Sequence, residues 1–228
     1  MLSLLRTRRP IIAPSMLKCD FGNLRRELEL LEAADCSLIH LDVMDGHFVP
    51  NLSYGPMVIE RLRSATALRF DAHLMVSEPG RYLMDYVGAG CDAITFHIEA
   101  VSDPVALLGE IRRQDVVAGV AINPETPFAR VASVLSECDM LLVMSVRPGF
   151  GGQKFMPEVL PRVLEARAVQ GDSLIISIDG GVSCDTIEAC AQAGADVFVA
   201  GSAIFDAVDY SAAVAELREI ASLSRLGC

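Results

Sequence analysis

Two histidines and two aspartates, His40, Asp42, His73 and Asp179, stand at the ends of apolar runs with β character. Imidazole together with carboxylate is a donor set that suits zinc, iron or manganese better than calcium, which prefers oxygen alone. His40 and Asp42 are two residues apart, so in an extended chain they project from one face, joined by Met44 if the strand continues that far. Both aspartates precede sharp-turn sequences, Asp42-Val43-Met44-Asp45-Gly46 and Asp179-Gly180-Gly181, where a side chain can reach a ligand. A single strand-end His or Asp is most often a capping or hydrogen-bonding group; convergence of four points to a divalent-metal site. His97, at the end of Thr95-Phe96-His97, is the rival ligand, and His47 reads as a loop-stabilising residue.

A second group of residues is glycine-rich: Pro148-Gly149-Phe150-Gly151-Gly152-Gln153, Asp179-Gly180-Gly181 and Ala200-Gly201-Ser202. One such turn is usually structural. Three in succession, each after a strand, fit a phosphate clamp, because glycine lets several backbone N–H groups approach the oxygens. Met44, Met75 and Met144 lie near other strand ends. Each alone is core filler, but beside a metal the three would form a polarisable, poorly hydrated wall facing a charged intermediate.

These residues need a scaffold that brings strand ends together. Runs with strand character at 11–14, 38–42, 68–73, 93–97, 116–121, 140–145, 174–179 and 197–200 alternate with amphipathic stretches near 23–34, 57–64, 79–89, 104–114, 127–136, 157–170, 184–193 and 211–223. Pro79, Pro104, Pro127 and Pro157 suit the first turns of helices, Ser183 is a candidate cap, and Gly90 and Gly194 are candidate helix stops. Eight such units in 228 residues fit an α/β fold of the (β/α)₈ TIM-barrel type, in which active-site groups gather at the C-terminal ends of the strands. An open doubly wound sheet is the alternative, but its G-x-G-x-x-G fingerprint is absent. No linker or low-complexity tract divides the chain, so residues 1–228 read as one catalytic domain, with 1–9 as a short N-terminal extension.

Composition narrows the partners. An apolar content of 52% supports a large core, and a net charge of −11 argues against nucleic acid or a membrane surface as partner. A phosphorylated small molecule remains compatible, since backbone amides bind phosphate locally. The seven cysteines, at 19, 36, 91, 138, 184, 190 and 228, form no C-x-x-C pair and read as reduced thiols with a cytoplasmic address. The apolar run in residues 1–9 is too short for a signal peptide.

The segments Ile12-Ala13-Pro14-Ser15, His40 through Asn51, His73-Leu74-Met75-Val76, Pro148 through Gln153 and Asp179-Gly180-Gly181 resemble, in order and over nearly the whole chain, the ribulose-phosphate 3-epimerase family. The resemblance implies a (β/α)₈ isomerase that interconverts D-ribulose 5-phosphate and D-xylulose 5-phosphate, with one divalent ion (zinc, iron, manganese or cobalt). It implies that His40, Asp42, His73 and Asp179 hold the ion, that Asp42 and Asp179 also move the protons, and that His97 is not a ligand. Ser15, His73, Gly149, Phe150, Gly151, Gly152, Gly180, Gly181, Gly201 and Ser202 are then the residues expected to touch substrate or its phosphate. A homo-oligomer is expected, of open size. Arg147, where the family usually has Asn or Glu, either adds a cation near the phosphate or faces solvent, and the stretch after Glu99 is shorter than in many members. A relative acting on a hexulose phosphate such as D-allulose 6-phosphate is the nearest alternative. A metal-independent synthase or decarboxylase barrel would need a lysine at a strand end, and Lys18 and Lys154 lie outside the strands. A non-enzymatic binding module leaves the acid and base groups without a purpose.

Overall fold

Eight short apolar runs become eight parallel strands in the computed structural model, which describes residues 1–225. They are β1 Ile11–Pro14, β2 Leu38–Met44, β3 Arg69–Met75, β4 Ala93–His97, β5 Val117–Ile122, β6 Met140–Met144, β7 Ile175–Asp179 and β8 Val197–Ala200. Each pairs with its sequence neighbour, β8 pairs with β1, and a parallel bridge between Ser15 and His40 joins β1 to β2 and closes the barrel. Helices connect the strands and cover the outer face, where Leu41, Phe70, Ile94 and Phe198 belong to one large core with helix residues such as Leu28, Ile59 and Leu217. Burial on both faces explains why the strands read as nearly continuous apolar runs rather than as alternating ones.

The inward residues change character along the barrel axis. At the N-terminal end, Ile11, Leu38, Ala93, Val117, Met140, Ile175 and Val197 form a separate apolar cluster around Leu5. Leu5 belongs to a helix, Leu2–Thr7, within the stretch read from sequence as an extension, and is fully buried. Burying such a side chain is worth about 1.5–3 kcal/mol. Two residues further along β2, β3, β4 and β7 the interior turns polar, with His40, Asp71, Thr95 and Ser177 all buried. The C-terminal end carries Ser15, Asp42, His73, His97 and Asp179, so the alternation that fills the base with apolar groups delivers the chemical groups to the top.

Several local expectations are corrected. β2 continues to Met44, so Asp42 lies inside the strand and the turn begins only at Asp45-Gly46, with Gly46 at φ +73°. The helix expected over 127–136 is a four-residue helix, Ala129–Ala132, followed by a 3₁₀ turn, Leu135–Glu137. The helix expected from 184 begins at Ile187, and Ser183 caps nothing with its side chain; instead its N–H donates to Thr186 Oγ1 at 2.9 Å. Gly90 and Gly194 do end their helices, at φ +90° and +102°. Cys19, Cys36, Cys91, Cys138 and Cys190 are buried free thiols and Cys184 is exposed; Cys228 lies outside the described residues. Among the described residues no helix is long and apolar enough to cross a membrane.

Candidate active site and metal centre

Register brings the cluster together. In the β2–β3 pairing Asp42 lies opposite His73, His40 opposite Asp71 and Met44 opposite Met75; in β6–β7 Met144 lies opposite Asp179. One donor atom from each of His40, Asp42, His73 and Asp179 lies within 4.8 Å of all the others. His73 Nδ1 is 3.2 Å from Asp42 Oδ1 and 3.8 Å from Asp179 Oδ2, and His40 Nε2 is 3.5 and 3.9 Å from the same oxygens. Four ligands about 2.0–2.1 Å from a shared centre stand about 3.3 Å apart in a tetrahedron, so the cluster is at the scale of a single ion.

The surroundings set the ring orientations. Asp71 Oδ2 accepts from His40 Nδ1 at 2.8 Å and turns Nε2 toward the cluster. Burial works against a charge on this imidazole, but Asp42 and Asp71 outweigh it and hold His40 well above its ordinary range, so Nε2 must give up its proton before it can serve as a metal ligand. On the other side, His97 Nδ1 donates to Glu99 Oε2 at 3.2 Å. Glu99 is ionised: burial works against its charge, but hydrogen bonds from His97, Thr126 and the Asn123 N–H bring it down to about 2. His97 Nε2 stands 2.8 Å from His73 Nε2, so the Glu99–His97 pair holds the His73 ring with its Nδ1 toward the cluster. His97, the rival ligand in the sequence, lies outside the four-residue cluster and positions the His73 ring. Both histidines in the cluster are fully buried; burial and the neighbouring imidazoles hold His73 down to about 4, which keeps it neutral at pH 7.

The two carboxylates are driven in opposite directions. For Asp42, burial opposes ionisation, but His40 and His73 outweigh it and pull the group well below the usual carboxylate range. The Ser15 hydroxyl, donating to Asp42 Oδ2 at 2.6 Å, also favours the charged form. For Asp179, burial and the charge of Asp42 raise the group to about 7, with His40 opposing. Its backbone is held by Ser145, whose N–H donates to the Asp179 carbonyl at 2.7 Å and whose hydroxyl donates to the Gly180 carbonyl at 2.7 Å.

Above the cluster opens a single pocket lined by Ser15, Asp42, Asp179 and all three methionines, Met44, Met75 and Met144. Gly149, Phe150, Gly151, Gly152, Gly180, Gly181, Gly201 and Ser202 line it as well, so the glycine turns expected to hold phosphate share one cavity with the carboxylates. His40 and His73 lie beneath this lining. Gly181 shows why the turn needs glycine: at φ +66° an added Cβ would come within 2.7 Å of the Phe155 backbone nitrogen. The longest glycine turn is pinned from both sides, by Asn51 Nδ2 donating to the Gly149 carbonyl at 2.7 Å and by Gln153 Nε2 donating to the Arg147 and Phe150 carbonyls at 2.6 and 2.9 Å. Arg147 itself is turned out, its side chain 77% exposed and paired with Glu125 at 2.5 Å. His47 stays in its loop, Nδ1 at 3.0 Å from the Asp45 carbonyl.

Three contributors were not singled out from the sequence. Asp71 precedes His73 by two residues and shares its face, a spacing that could have flagged it. Glu99 acts only through His97. Lys18 reaches the pocket from the turn after β1, and nothing in its local sequence marks it.

The chain also matches known proteins over most of its length. The model of the Ribulose-phosphate 3 epimerase family matches residues 11–205. The ribulose-phosphate 3-epimerase of Mycobacterium bovis is 46% identical over 220 residues, covering 95% of each chain. That of Bacillus subtilis is 41% identical over 211 residues, covering 91% of this chain and 97% of its own. Among solved structures, 3-hexulose-6-phosphate synthase from Salmonella typhimurium superimposes with a TM-score of 0.69 over 94% of this chain and 99% of its own, at 18% identity, a likeness of fold alone.

Proposed function

The chain belongs to the ribulose-phosphate 3-epimerase family, and from that premise we propose that its pocket interconverts D-ribulose 5-phosphate and D-xylulose 5-phosphate, with Asp42 and Asp179 as the proton-transfer pair. Inverting a carbon next to a ketone requires one group to take the C3 proton and another to return a proton to the opposite face. The observation that carries the reading is geometric: Asp42 and Asp179, from different strands, meet in one cluster at the floor of the pocket that the glycine turns line. Before an ion binds, the surroundings drive the two apart, Asp42 well below the usual carboxylate range and Asp179 up to about 7. Environments that push two titratable groups apart assign the acid and the base. In the reverse direction the two exchange roles.

An unperturbed aspartate, with a pKa of about 3.9, is a weak base for so weak a carbon acid, so the enediolate oxygens need stabilisation. The His₂Asp₂ donor set fits a divalent ion, which His40, Asp42, His73 and Asp179 would hold, with His40 Nε2 and His73 Nδ1 turned toward the cluster. Such an ion supplies Lewis-acid stabilisation of negative oxygen when bound. Met44, Met75 and Met144 restrict water beside the reacting carbon, and the turns at Gly149–Gly152, Gly180–Gly181 and Gly201–Ser202 offer backbone N–H groups to the phosphate. Zinc, iron, manganese and cobalt all suit this donor set.

The test is a coupled assay of metal-replete protein on D-ribulose 5-phosphate, with D-allulose 6-phosphate as competitor and elemental analysis of protein purified without chelator. Formation of D-xylulose 5-phosphate with solvent deuterium entering at C3 is expected. Preferred turnover of the hexulose phosphate would move the assignment to that substrate, and no turnover of either would overturn it.

A further inference from the structure

Lys18 is the one cationic side chain lining a pocket that also presents two carboxylates, Asp42 and Asp179, in a chain of net charge −11. A sugar phosphate brings a further charge of about −1.5 to −2 into that field at neutral pH. Backbone amides offer only partial charges against it.

The placement of Lys18 is built by residues distant in sequence. The 3₁₀ turn Met16–Lys18 follows β1 directly, and the Lys18 N–H closes it on the Ser15 carbonyl at 3.3 Å. The aliphatic stem then lies against two of the glycine turns. A Cβ built on Gly151 would stand 2.9 Å from Lys18 Cδ, and one built on Gly201 would stand 3.0 Å from Lys18 Cγ. Absence of a side chain at both positions makes the groove that the stem occupies. The ammonium is solvent-accessible and, among the described residues, has no carboxylate or carbonyl partner. Arg147, the other cation near these turns, is committed to Glu125.

We propose that Lys18 is a specificity-determining residue of this site, its ammonium pairing with the phosphate of the substrate where the Gly151 and Gly201 turns meet. The proposal rests on the reading that the substrate is a sugar phosphate. A compact ammonium on a stem already seated against backbone loses little freedom on binding, and its charge-assisted contact with phosphate outweighs neutral hydrogen bonds. Selection of phosphorylated over free ketose then falls to a side chain as well as to the amides.

Steady-state epimerisation by metal-replete wild type, Lys18→Met, Lys18→Arg and Arg147→Gln tests this, together with direct titration of each protein with inorganic phosphate. Lys18→Met should raise KM and weaken phosphate binding by about tenfold, with kcat changed by less than about twofold and a shallower dependence of kcat/KM on salt. Lys18→Arg should recover most of the loss, and Arg147→Gln should leave both quantities within about twofold, since its partner is Glu125. Unchanged KM and phosphate affinity in Lys18→Met would overturn the proposal while leaving the epimerase reading intact. A wild-type protein without turnover would overturn that reading instead, and the phosphate titrations would still decide the role of Lys18.

Discussion

Asp196 and Asp179 stand at opposite ends of neighbouring strands, both enclosed by the barrel, and the contrast between them separates what stabilises this molecule from what makes it reactive. Asp196, fully buried just before β8, accepts from Arg167 at 2.6 Å, Arg225 at 2.9 Å and the Ile176 N–H at 2.9 Å, and Arg9 stands at 3.2 Å. Asp179, with its side chain 15% exposed, has two imidazoles at 3.8 and 3.9 Å and another carboxylate close by. Burial alone therefore does not decide the state of a carboxylate; the charges facing it do. The base of the barrel surrounds its acid with cations and a Leu5 plug. The top leaves Asp179 underpaired beside Asp42, and that imbalance is useful only when a proton or an ion is to be held.

The sharpest way to break the contrast is to neutralise both groups in turn. Asp179→Asn should lower kcat by about 10³-fold or more through loss of the acid/base partner. Its fold should survive, because no guanidinium loses its counter-ion. Epimerisation within tenfold of wild type would contradict a two-carboxylate mechanism.

Asp196→Asn should do the reverse. Leaving three arginines around an uncharged buried amide costs about 3–5 kcal/mol, measured as a lower midpoint in urea unfolding. Turnover per folded molecule should be retained, as Asp196 is at the far end of the barrel. A cost below about 1 kcal/mol would mean that the cationic cradle is not what holds the base together.

The smallest effect concerns pH in protein freed of metal by chelation. Asp179 has a folded pKa of about 7 against an ordinary value of 3.8, so the native state holds this proton more tightly than the unfolded chain. Its stabilising contribution is complete below about pH 4 and is lost as pH rises towards about 7. Asp179→Asn removes that loss, so its Tm relative to wild type should climb between pH 5 and pH 8 by a few degrees, at about 2–4 °C per kcal/mol for a chain of this size. A difference that is flat with pH would show that Asp179 is not strained in the free protein. Glu99, held down to about 2, acts with the opposite sign, its stabilisation being lost as pH falls below about 4.5.

Much of the site was readable because a β-strand has a two-residue period. His40, Asp42 and Met44 declare a shared face without knowledge of any neighbour, and Asp179-Gly180-Gly181 announces a strand end and a turn together. The barrel was readable for a related reason, since eight apolar runs separated by amphipathic stretches leave few ways to bury every strand on both faces. The stretch 127–136 was misread because its apolar spacing suits a longer helix than Ala129–Ala132, which gives way to the 3₁₀ turn before Cys138. Length of a segment is set by the distance it must cover across the barrel, and local propensity does not carry that distance.

The amino-acid order by itself determined which groups could do chemistry, which end of the strands would carry them and which family pattern they follow, because side-chain alternation and turn chemistry are properties of adjacent residues. Only the closed barrel decided which imidazole nitrogen faces the cluster, through Asp71 opposite His40 and through Glu99 acting across His97. It also decided that Leu5 is a plug, that Arg147 turns away and that Lys18 lies along the Gly151 and Gly201 turns. Each of these depends on contacts between segments far apart in the chain, and register and closure, not local preference, determine which distant groups meet.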